Sequence, residues 1–141
     1  MALSKIYNAN HSEAVDYYNR AIEYRKKQNI NPDSYLANLN QLIGQSYIFI
    51  DQHDKAIEYL ELAKNSYTSI YGIDNSTNAN IDEYLGMAFE KKGDYNKGIA
   101  SYDRAYVLYK KIYGSFDTRT KSTEDKITKV MQKLAENRNA S

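Results

Sequence analysis

The chain has 141 residues, 42% of them apolar, with 19 Lys+Arg against 18 Asp+Glu for a net charge of +1. That balance leaves no global field to recruit nucleic acid or an anionic membrane, and wholly apolar runs such as Tyr47 to Ile50 are far too short to span a bilayer. Cysteine is absent, which excludes disulfides, thiolate catalysis and cysteine metal sites.

The first segment, 1–30, reads as part of a unit. His11 to Gln28 carry Val15, Tyr18, Ala21 and Ile22 at three- and four-residue steps, the pattern of one helix, while only Ala2 to Asn8 precede it. Either the chain is an excerpt from a longer protein, which is the favoured expectation, or this short segment folds over Val15, Tyr18 and Ile22 as a cap. The next segment, 33–72, opens on Asp33, a side chain suited to capping a helix N-terminus. Leu36, Leu39, Ile43, Tyr47 and Ile50 then form the apolar stripe of a first helix (helix A). After Asp51-Gln52, Ile57, Leu60, Ala63, Tyr67 and Ile70 form that of a second (helix B), and Gly72 is expected to end it in a left-handed conformation.

Segment 75–114 repeats this reading at a constant offset of 42 residues. Gly44 matches Gly86, Tyr47 matches Phe89, Ile57 matches Ile99, Ala63 matches Ala105 and Gly72 matches Gly114. A further step back joins Ala14, Tyr18 and Ala21 to the same series, and Asp33, Asn75 and Asp117 open successive units. Gly98 is a weak point inside its helix, where its counterparts are alanine. In the last segment, 117–137, Ile127, Val130, Met131 and Leu134 make a narrow apolar stripe on an otherwise polar helix, the signature of a terminal cap.

The matches Ile43-Gly44-Gln45-Ser46-Tyr47 with Ala56, Leu60 and Ala63, and Leu85-Gly86-Met87-Ala88-Phe89 with Gly98, Tyr102 and Ala105, resemble the tetratricopeptide-repeat pattern. The long period and the Tyr-Gly ending of helix B are similar to the repeats of kinesin light chains. The resemblance implies an all-α fold, an antiparallel helix-hairpin α-solenoid with a C-terminal capping helix, whose helices A line a concave face that binds protein segments.

On that reading, the binding residues lie on helix A turned away from the core: Asn38, Gln41, Gln45 and Ile48, then Asn80, Glu83, Met87 and Glu90, with Tyr84 beside them. The stripe is amide-rich and mildly acidic and holds no cation before Lys129. That departs from family members that clamp acidic peptides, so a polar or basic extended peptide is the compatible partner. The alternatives are self-association through an N-terminal edge at Val15, Tyr18, Ala21 and Ile22, giving a homo-oligomer or part of a longer solenoid, and a regulatory module of a larger protein. No enzyme, cofactor or metal is expected. His11 and His53 occupy equivalent positions at the turns between helices A and B and lack a second ligand, and no phosphate loop or nucleophile arrangement is visible. No nucleic-acid or membrane partner is expected either, and without a secretion signal the location reads as cytoplasmic.

Overall fold

A computed structural model describes residues 2–29 and 33–140, with side chains from Asn10 onward. Among the described residues the structure is helical throughout: α1 (Ala2–Lys27), α2 (Ser34–Phe49), α3 (His53–Tyr71), α4 (Ser76–Lys92), α5 (Tyr95–Tyr113) and α6 (Thr118–Ala140). The fold class is all-α, of the helical-repeat (α-solenoid) kind. Two compact units divide the chain, Met1–Gly72 with α1 to α3 and Ile73–Ser141 with α4 to α6.

In the first unit α2 packs on α3 and α1 packs on α2. The α2–α3 hairpin closes around Ile43, Leu60, Ala63 and Tyr67, all buried. A buried Leu or Ile side chain contributes about 1.5–3 kcal/mol by leaving water. The helices approach closely because Gly44 has no side chain: a Cβ there would lie 2.6 Å from Leu60 Cγ. The second unit repeats the device, with a Cβ on Gly86 falling 2.6 Å from Tyr102 Cδ1. Here α4 packs on α5 and α5 on α6, and Leu85, Tyr102, Ala105 and Tyr109 fill the hairpin.

Helix starts follow the expected residues. Asp33 Oδ1 accepts from the backbone N–H groups of Tyr35 and Leu36, Asn75 Oδ1 from Asn78, and Asp117 Oδ1 from Arg119. Arg25 donates through Nε to Asp33 Oδ2 at 2.7 Å, and this bond holds the Asp33 carboxyl below the usual carboxylate range.

Helix ends differ from expectation. Gly72 and Gly114 have φ of 85° and 91° with ψ near 170°, an extended region beyond the left-handed well that is essentially restricted to glycine. The left-handed cap is instead Gly93, at φ 93° and ψ 3°, between α4 and α5. Its counterpart Asp51 takes φ 61° despite its side chain. Both turns close the same way: the Gln52 and Asp94 N–H groups donate to the Tyr47 and Phe89 carbonyls at 2.9 Å.

The N-terminal segment also departs from expectation. α1 runs without a break from Ala2 through His11, so residues 2–8 extend the helix and do not fold back over Val15, Tyr18 and Ile22. The turn positions 51 and 93 correspond to Ala9, a good helix former with no tolerance for positive φ, and the helix passes straight through. His11 therefore sits inside a helix, its ring stacked 4.9 Å from that of Phe49, and only His53 lies at a helix start. At the far end, Val130 is the one member of the α6 stripe that is fully buried, while Met131 is 53% exposed.

Candidate functional site

The second unit brings four of the nine candidate residues together. Asn80, Glu83, Tyr84 and Met87 lie on one face of α4 and, with Lys126 of α6, line a cleft of about 100 Å³. Steps of three and four residues put the four on one side of the helix. Lys126 donates to Glu83 at 2.5 Å across the cleft. Two turns further along, Lys133 of α6 donates to Glu90, which also accepts from the Tyr102 hydroxyl at 3.1 Å. The Glu90 bond raises the Lys133 ammonium above its ordinary range. Burial, reinforced by the Glu90 carboxylate, pushes the Tyr102 phenol far above its usual value, and burial does the same for Tyr109 with Glu83 adding to it.

The acidic character read on this stripe is thus neutralised in place. Both glutamates are paired with lysines of α6, and the cleft presents a balanced ion pair beside an amide, a phenol and a thioether. Lys126 is the member that the sequence reading missed, because that reading placed the first cation of the stripe at Lys129. The offset offered a signal: Lys126 stands one residue beyond Asp125, the counterpart of Glu83.

In the first unit the stripe divides. Asn38 is exposed and Gln45 half-buried, whereas Gln41 is 8% and Ile48 0% exposed. Gln41 and Ile48 are therefore not offered to solvent, which corrects their assignment to an open binding face. An isoleucine gains too much from burial to be left in water where a neighbour is available.

The expected N-terminal edge is corrected as well. Val15 and Ile22 are buried, and Tyr18 and Ala21 are partly covered. The open face of α1 lies one residue away, at Tyr17 and Tyr24, 69% and 68% exposed. With Arg20, Ala21, Arg25, Gln28 and Tyr35 they line a wide groove of about 590 Å³. Arg25 is held there by Asp33 and lies 5.3 Å over the Tyr35 ring, while Arg20 has no partner among the described residues. The stepping of Tyr17, Arg20 and Tyr24 by three and four was legible, but the apolar stripe beside it drew the assignment.

Among the described residues no group of three or more His, Asp or Glu side chains could hold a metal ion, and no helix is long and apolar enough to cross a membrane.

A family profile described as tetratricopeptide repeat matches residues 37–67 and 85–111, covering both hairpins around their crossing glycines. Among solved structures, 23 chains match. One is the crystal structure of BtubC (BKLC) from P. vanneervenii, with 18% identity and a TM-score of 0.67, covering 93% of this chain and 66% of that one. This chain thus spans under two thirds of the neighbour's length, and the likeness is one of fold. The comparison with curated proteins gave no match. Repeats of this type generally mediate protein–protein interaction and are typically non-catalytic. Two hairpins in a constant register, each crossing at a glycine, carry the two stretches of this chain that match the tetratricopeptide repeat.

Proposed function

We propose that the protein is a non-catalytic interaction module that takes an extended, polar segment of a partner protein on the α4 face of its second unit. The observation that carries this reading is the cleft of Asn80, Glu83, Tyr84, Met87 and Lys126. Its volume of about 100 Å³ suits one peptide side chain, with the rest of the segment lying along the helix. The Glu83–Lys126 pair leaves no net charge to be met, so an uncharged polar side chain fits better than a basic one. Asn80 and Tyr84 supply hydrogen-bonding groups and Met87 a deformable apolar wall.

The test is a panel of short extended peptides, rich in Asn, Gln and Ser in one set and in Lys in another, titrated into the isotope-labelled chain. The expected result is that the uncharged set shifts the amide signals of Asn80, Tyr84 and Met87, and that Asn80→Ala with Met87→Glu weakens binding at least about tenfold while the helical content is kept. Peptides that shift other residues only, or that bind the double variant as well as the native chain, would sink the assignment. Preference for the Lys set would restore the acidic reading of the stripe.

A further inference from the structure

In the α4–α5 hairpin, Asp82 and Arg104 join the two helices at 3.4 Å, and the Arg104 guanidinium also donates to Ser101 at 3.1 Å. Around this pair α4 covers one face of α5. Ser101 and Tyr102 are buried, and Leu108 packs against the Ala79, Ala105 and Tyr109 cluster. Two steps of 42 residues carry that covered face onto α1, where Ser101, Tyr102, Arg104 and Leu108 become Tyr17, Tyr18, Arg20 and Tyr24. There the face is open: both outer tyrosines are mostly exposed and Arg20 is unpaired among the described residues. One step the other way carries Asp82 onto Glu124 of α6, which is exposed and likewise without an ion pair among the described residues. α1 and α6 therefore each present one half of such a hairpin, and the two unpaired charges occupy the positions whose counterparts already bind each other.

We propose that α6 of one molecule docks on the open face of α1 of another, antiparallel as α4 lies on α5, with Glu124 pairing to Arg20. Lys121, in the place of Ala79, then comes to the Tyr24 ring, where a cation on an aromatic face is favourable. The contact joins unlike surfaces, so each docked molecule still offers its other surface, and further molecules add head to tail. One feature keeps it weak. Thr128 stands where Gly86 lets α4 approach, and a Cβ at that crossing would meet a tyrosine ring at 2.6 Å. The corresponding ring on α1 is Tyr18, so the docked helices stay farther apart than in the hairpin. The occupant is this chain's own α6 because the charge that complements Arg20 stands on it at the matching register. This interface is separate from the α4 cleft, and loss of peptide binding there leaves it untouched.

The experiment is sedimentation velocity of the full chain over a broad concentration series. The native chain should pass beyond dimer as concentration rises, and Thr128→Gly should tighten association about tenfold. Arg20→Glu alone and Glu124→Arg alone should each stay monomeric, since each sets like charges against one another. Mixed together, the two variants should assemble again, because each molecule then offers the other a complementary end. All are exposed positions, and circular dichroism checks that each variant remains helical. A chain that stays monomeric both as native protein and as Thr128→Gly overturns the proposal. So does growth that stops at a dimer, single variants that assemble like the native chain, or a mixture that does not.

Discussion

The two hairpins, α2–α3 and α4–α5, share a register and a crossing glycine but are finished with different chemistry. The first is closed with aliphatic residues: Leu60 meets Gly44, Ile48 is buried on α2, and Leu62 lies where the second has an arginine. The second is closed with polar pairs. Tyr102 meets Gly86 and is tied through its hydroxyl to Glu90, Glu90 is held by Lys133, and Asp82, 1% exposed, is bonded to Arg104. The lesson is that the repeat specifies which positions are small and which are covered, while the covering can be apolar or ionic. Among the described residues, the ionic version carries a polar cleft on its helix-A face.

The largest test of this contrast is at the crossings. Gly86→Ala should destabilise the second unit toward the upper end of about 1–3 kcal/mol, because the Tyr102 ring is anchored at its hydroxyl and cannot swing away. Gly44→Ala should cost less, since Leu60 has no such tether. Urea denaturation of the two variants decides, and a reversed order would show that anchoring is not what distinguishes the hairpins.

A middle-sized test exchanges the turns. Asp51→Gly should stabilise the first unit by about 1 kcal/mol, because Asp51 holds φ 61° with a Cβ that its counterpart Gly93 lacks. Gly93→Asp should lose a similar amount, read by thermal denaturation. Equal melting for native and Asp51→Gly would mean that the aspartate is supported by its surroundings.

The smallest effect is a pH dependence of the caps. Arg25 holds Asp33, and Arg119 holds Asp117, below the usual carboxylate range, whereas Asn75 does not titrate. A depressed folded value contributes stability that is present above the ordinary carboxylate range and is lost as pH falls through the depressed value. Acidification should therefore loosen the first turns of α2 and α6 before that of α4. Amide exchange at Leu36, Arg119 and Asn78 measures it, and uniform loosening of all three would remove the caps as the cause.

The helices, their number, the two hairpins and the three caps were legible in the sequence because they depend on local spacing, and a helix stripe or a capping carboxylate needs only its neighbours in the chain. The candidate face was half legible. Asn80, Glu83, Tyr84 and Met87 meet in one cleft, but Lys126, which completes it, comes from a helix 43 residues further on from Glu83. Gln41 and Ile48 fell on the correct side of helix A and are nonetheless buried.

By itself the sequence determined the period, the glycines at the crossings and the residues that begin each helix, since steric and hydrogen-bonding demands at those points are met by one or two residue types. Which tyrosines of α1 stay in water and whether a glutamate is paired were decided by tertiary structure alone. Adjacent positions on a helix differ by about 100° in direction, so a stripe named from spacing can be misplaced by one residue until a neighbouring helix covers one side and leaves the other open.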